Sequence, residues 1–146
     1  MNQPNRLTDA EVEALVQAAT EVREKAYAPY SVHTVGAAVL DAGGHIYAGC
    51  NVEFVTLQQT VHAERNAVLH MAAAGGRQLR AVCVVGPYSG IPCAECRQAV
   101  WEFACGDPEV VVVSAPTDGP LELLRMGDVY PWPYGPETKG IDPRDH

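Results

Sequence analysis

The sequence predicts an α/β domain in which helices cover a mixed β-sheet, and two observations carry that prediction. Short apolar runs of strand length alternate with longer segments of helical periodicity, and the first two runs are separated only by turn residues, as in a hairpin. At 146 residues the chain is long enough for one buried core and too short for two ordinary domains, so a single domain over residues 1–146 is expected.

Each element has its own local signal. Thr8 followed by Glu11 has the form of a capping box, and Val12, Leu15, Val16, Ala19, Val22 and Ala26 recur behind it at helical spacing. This first helix is expected to run to about Tyr27 and to be stopped by Pro29. Val35 to Leu40 is small and apolar, Asp41 to Gly44 is turn chemistry, and His45 to Val52 resumes an extended pattern, which predicts a hairpin with a loop of about four residues. Residues 54 to 60 fit neither period. His62 to Ala74 is rich in strong helix formers and ends at Gly75 and Gly76. Arg80 to Gly86 reads as a buried strand, Cys93 to Phe103 as a helix entered through Pro92, and Glu109 to Ser114 as another buried strand. The order is α-β-β-α-β-α-β. From Pro131 onward, Pro, Gly and charged residues predict a surface tail over 131–146.

Composition narrows the function. The formal net charge is −8 and the ten Lys and Arg are scattered, a surface that repels a phosphate backbone, so no nucleic-acid polymer is expected as partner. No apolar run approaches the roughly 20 residues that span a bilayer, and no membrane partner is expected. The start, MNQPNRLTDAE, lacks the apolar stretch of a secretory signal, which makes a cytoplasmic location the expectation. The five cysteines are odd in number, which favours reduced thiols or metal ligation over a disulfide framework.

Only Cys93 and Cys96 stand at ligand spacing, and His62-Ala63-Glu64 lies about thirty residues upstream. Both motifs open predicted helices, where free N–H groups and the helix dipole favour thiolate over thiol. One imidazole and two thiolates leave the fourth tetrahedral position of a zinc ion open for water. Glu64, two residues past His62, is placed to touch that water and move protons without binding the metal. Taken alone, Cys-x-x-Cys also fits a redox dithiol or half of a structural zinc ribbon, and Glu64 also fits a solvated first-turn carboxylate. A closed zinc site needs a fourth protein ligand, and Cys50, Cys83 and Cys105 are better suited to the core. The joint pattern, His-x-Glu followed by Pro-Cys-x-x-Cys, is that of zinc deaminases acting on nucleobases.

The chain resembles the cytidine deaminase family over most of its length: AYAPYSVHTVGAAV, GCNVE, VHAERNAV, PCAECRQAV and PWPYGPETKG fall in the family's order. The resemblance implies a three-layer α/β/α sandwich and hydrolytic deamination of cytidine or deoxycytidine, with one zinc per chain and a place in pyrimidine salvage. It also implies a homotetramer, or alternatively a dimer, whose neighbours help close each pocket. By position, Asn51 and Glu53 match the pair that hydrogen-bonds the ribose, and the backbone of Ala63 matches a pyrimidine contact.

Four departures from the family pattern stand out. His62 replaces the Cys of the short members, which makes the site less negative by about one charge, while Arg65, which offsets thiolate charge in three-cysteine members, remains. His33 stands where a Phe commonly meets substrate; it is either a pocket wall or a packed surface residue. Phe54-Val55-Thr56-Leu57 replaces a segment that reaches a neighbour's pocket in the family, which makes Val55 a candidate contact, and Tyr134 replaces a late Phe. His33 and the 54–57 segment raise a second substrate, an N4-substituted cytidine or a blasticidin-S-like nucleoside, because pocket shape selects the pyrimidine. A reading from another class is a non-catalytic binding module stabilised by zinc.

Overall fold

The structure, a computed structural model, describes residues 7–87 and 90–146; residues 1–6, on which the expectation about a secretory signal partly rests, lie outside them. Helix α1 covers Asp9–Arg23, and its Thr8 capping box forms as expected, with both reciprocal hydrogen bonds present. The helix ends four residues before Tyr27. Tyr27 instead donates its N–H to the carbonyl of Asn51 and accepts from the N–H of Glu53, so an isolated bridge to Val52 takes its backbone out of the helix.

Strands β1 (Gly36–Asp41) and β2 (Ile46–Cys50) form the expected antiparallel hairpin. Gly44 makes its turn with a left-handed backbone, φ +87°. Helix α2 (Ala63–Ala73), strand β3 (Leu79–Gly86), helix α3 (Ala94–Glu102) and strand β4 (Val111–Pro116) follow in the predicted order. Two short elements absent from the sequence reading come next, strand β5 (Glu122–Arg125) and helix α4 (Met126–Val129). The strands lie in the order β2-β1-β3-β4-β5; β3 and β4 are parallel, and the other pairs antiparallel. The mixed sheet is thus as expected.

Alternation along the central strands sorts side chains to opposite faces. Val39, Val82, Val84 and Val112 join Ala67, Met71, Val100 and Trp101 in one core layer under α2 and α3. Leu40, Ala81, Cys83, Val111 and Val113 join Leu15 and Ala19 in the other, under α1. The result is three layers, α1 on one side and α2 with α3 on the other. No helix among the described residues is long and apolar enough to cross a membrane.

Residues 131–146 run along the surface in two short 3-10 turns, Pro136–Lys139 and Pro143–Asp145, and are fastened to the domain. The Trp101 indole donates to Glu137 at 2.8 Å, and the Gln98 amide donates to the Tyr134 carbonyl at 2.7 Å. Trp101 packs in the core, as its sequence position suggests, and Phe103 packs against the same layer. Trp132 is 97% exposed, so within the chain it is not a core residue.

Candidate metal centre and active site

The site is assembled where three chain segments end beside one another. Val52 pairs with Val61 through two backbone hydrogen bonds of 2.9 Å, which sets the run carrying Asn51 and Glu53 against the entry to α2. His62 is the N-cap of α2, and its carbonyl accepts the first intrahelical bond from Asn66 N–H. Cys93 is the N-cap of α3 in the same way, with Arg97 N–H on its carbonyl; Pro92 leads into the helix just before the cap, and its carbonyl accepts from the Arg97 side chain. Asn66 donates from its amide to the Cys50 carbonyl at 3.0 Å, which ties the first turn of α2 to the end of β2.

This arrangement brings the three predicted ligands together. His62 Nδ1 lies 3.3 Å from Cys93 Sγ and 3.5 Å from Cys96 Sγ, and the three donor atoms lie within 4.8 Å of one another. Zinc bound at about 2.0 Å to nitrogen and 2.3 Å to sulfur in tetrahedral geometry separates such donors by about 3.5 Å, so the observed spacing fits the ion. Among the described residues no other group of three such donors gathers. Cys96 is fully buried, and burial, reinforced by the nearby Glu64 and Cys93, pushes its thiol far above the ordinary range. The buried Cys96 thiol therefore needs a cation beside it to be ionised, and the donor set supplies what zinc prefers. Cys83, by contrast, sits in the apolar layer under α1, where burial raises its thiol to about 12, and it serves packing.

A cavity of about 410 Å³ opens over His62 and Cys93. Its walls include His62, Cys93, Ala63 and Glu64, together with Asn51, Glu53 and His33, so the predicted catalytic residue and four of the six predicted substrate contacts share one pocket with two of the three metal donors. Glu64 is 6% exposed, in the first turn of α2. Val55 and Tyr134 are not among the walls: Val55 is 81% exposed, and the Tyr134 ring sits 5.9 Å under the Lys139 ammonium on the surface. Sequence reading missed Ser31, Thr60 and Ile91 as walls. Ser31 had a usable signal, since it directly follows the Pro29-Tyr30 turn, but Ile91 reaches the pocket only through the connection between β3 and α3.

Asn51 and Glu53 face the pocket with much of their polar capacity already engaged. Asn51 Oδ1 accepts from Val35 N–H at 2.8 Å, and its Nδ2 donates to the His33 carbonyl at 2.8 Å. Glu53 Oε1 accepts from the backbone N–H groups of Tyr30 and Ser31 at 3.0 and 3.1 Å. The Ser31 hydroxyl first, then these N–H groups and the His33 ring, hold the Glu53 carboxyl below its ordinary value. Arg65 pairs with Glu95 on α3, a short contact across the two helix starts. His45 contacts Asp41 in the hairpin turn and His70 meets the Ala48 carbonyl, both away from the ligands.

The "Cytidine and deoxycytidylate deaminase zinc-binding region" family profile matches residues 9–114. The chain is 37% identical over 131 residues to the cytidine deaminase of Sporosarcina psychrophila, covering 87% of this chain and 93% of that one. It is 36% identical over 119 residues to the cytidine deaminase of Mycobacterium tuberculosis, covering 80% and 84%. Among solved structures, the crystal structure of cytidine deaminase from Burkholderia pseudomallei superposes with a TM-score of 0.78 at 38% identity, covering 88% of this chain and 100% of that one.

Proposed function

We propose how the residues of this chain, which belongs to the cytidine and deoxycytidylate deaminase family, divide the work of its reaction. That reaction is the zinc-dependent hydrolytic deamination of cytidine or deoxycytidine to the uridine product, with release of ammonia. His62, Cys93 and Cys96 hold the zinc. When bound, the ion supplies the Lewis acidity that makes a water nucleophilic near neutral pH.

Glu64 is the proton carrier. Its carboxylate takes a proton from the attacking water and delivers it to N3 of the base as C4 is attacked; it then takes the proton of the new C4 hydroxyl and passes it to the amino group, so that ammonia leaves as the C–N bond breaks and the C4 carbonyl forms. The observation that carries this assignment is a nearly buried carboxylate that shares a pocket wall with the metal donors His62 and Cys93 and lies outside the ligand set. The backbone at Ala63 contacts the pyrimidine, and Asn51 and Glu53 contact the ribose, an assignment supported by their shared place in the pocket wall.

His33 in the same wall bears on which base substituents are accepted. Comparing kcat/KM for cytidine, deoxycytidine and an N4-alkyl cytidine reads this directly; a preference for the N4-alkyl substrate would move the assignment to a modified nucleoside. Phe54, Val55 and Leu57 expose large apolar side chains on the segment between Glu53 and His62, which supports a homotetramer in which that segment meets a second copy. Light scattering tests it, and a monomer would remove the shared pocket. The enzyme is cytoplasmic on this reading.

The decisive experiment incubates zinc-loaded protein with cytidine and follows the ultraviolet change to uridine, with Glu64→Gln in parallel. Conversion by the parent alone supports the assignment; conversion by both moves the proton transfer to another group.

A further inference from the structure

Val32 has a left-handed backbone, φ +59°, and its side chain is 79% exposed. For a β-branched residue this conformation is a steric outlier, and an exposed side chain recovers nothing from packing in return. The strain persists only because the surrounding chain over-determines the loop.

Hydrogen bonds on both sides of Val32 restrain it. Val32 N–H reaches the Ala28 carbonyl at 3.0 Å, and His33 N–H reaches Ser31 Oγ at 3.1 Å. The Thr34 carbonyl accepts from Arg23 Nε at 2.8 Å. The remaining anchors come from the pocket itself: Glu53 Oε1 gathers the two N–H groups immediately before Val32, and the Asn51 amide holds the His33 carbonyl and the Val35 N–H after it. The strained residue thus sits between two clamps, and the residues on either side of it, Ser31 and His33, are pocket walls.

We propose that Asn51 and Glu53 are positioning residues that hold the Tyr30–Val35 loop in its strained form and so aim Ser31 and His33 at the substrate. This rests on the pocket receiving a nucleoside, as proposed above. It differs from a role confined to the sugar, because one oxygen of Glu53 and both ends of the Asn51 amide are engaged with the loop.

Two measurements test the proposal. Asn tolerates the left-handed region far better than Val, so Val32→Asn should raise the thermal midpoint by a few degrees, and it should recover part of the midpoint lost in Glu53→Gln. These melts need no activity, so they stand even if the substrate assignment fails. The second compares the kcat/KM loss of Glu53→Gln on cytidine and on 2′,3′-dideoxycytidine, which lacks the 2′- and 3′-hydroxyls. The loss should persist with the dideoxy substrate and shrink about threefold or more when Val32→Asn is added. An unchanged or lowered midpoint for Val32→Asn, or a Glu53→Gln loss that vanishes with the dideoxy substrate, overturns the proposal.

Discussion

Cys93 Sγ lies 3.3 Å from His62 Nδ1, although 31 residues separate them in sequence and each begins a different helix. Such proximity of three soft donors is useful only to an ion, and binding it holds the starts of α2 and α3 together. Cys93→Ala should therefore lower zinc from about one per chain to near none and reduce the urea midpoint, as read by elemental analysis and denaturant melts. A variant that keeps its zinc would remove Cys93 from the ligand set.

Glu64 is not a ligand on this assignment, so its loss should separate binding from chemistry. Glu64→Gln keeps the size and neutralises the charge, and should leave zinc content and folding near those of the parent. Turnover should fall about 10²- to 10⁴-fold, the usual contribution of general acid–base catalysis. Loss of zinc in this variant would show that the carboxylate supports the metal.

The metal set was legible in the sequence because its signal is local: Cys93 and Cys96 share one helical turn, and His62 and Glu64 share another. The central strands were legible because runs such as Arg80 to Gly86 are buried on both faces. β5 was not, since Glu122–Arg125 is four residues long and owes its extended form to pairing with β4, a contact no local pattern encodes. The end of α1 was misjudged for the same reason. Tyr27 fits the helical segment, but its backbone pairs with residues 51 and 53. The two-sided use of Asn51 and Glu53, pocket on one side and loop on the other, is a tertiary fact with no sequence signature.

Arg65 and Glu95 join α2 to α3 beside the ligands, but both side chains are well exposed, 38% and 52%. Solvent screening limits such a pair to at most about 1 kcal/mol. Arg65→Gln should therefore change the melting temperature little and retain zinc at neutral pH. Its effect should appear in the rate at which a chelator removes the metal, through modest loosening of the two helix starts. Complete loss of zinc would mean that Arg65 compensates thiolate charge even with His62 in place.

Glu11 links the N-terminus of α1 to β3. The Arg80 guanidinium at 2.9 Å, followed by the Thr8 N–H at 2.8 Å, holds its carboxyl below the ordinary value of 4.5. A depressed carboxyl contributes stability that is fully present above about pH 4.5 and is lost as pH falls through the folded-state value. Glu11→Gln can preserve the cap's hydrogen bond while removing the charge. Its melting temperature should lie below the parent's at pH 7, and the gap should close in acid. A gap that stays constant down to pH 2 would assign the effect to geometry alone.

Gly49 sets how closely β2 approaches α2. A Cβ at this position would stand 2.4 Å from Ala67 N, 2.8 Å from Asn66 C and 2.9 Å from Ala63 O, all backbone atoms that no rotamer change can move aside. Gly49→Ala must therefore push α2 off the sheet, at a cost of about 1–3 kcal/mol for overpacking. Because His62 caps that helix while Cys93 and Cys96 ride on α3, the displacement also opens the metal donor triangle. Zinc should leave the variant faster in a chelator assay, and added zinc should restore part of the lost stability by binding the folded state. Lost stability with unchanged zinc release would mean that α2 shifts as a unit with α3 and the donors keep their spacing. Parent-like values for both would show that the β2–α2 contact yields without disturbing the site.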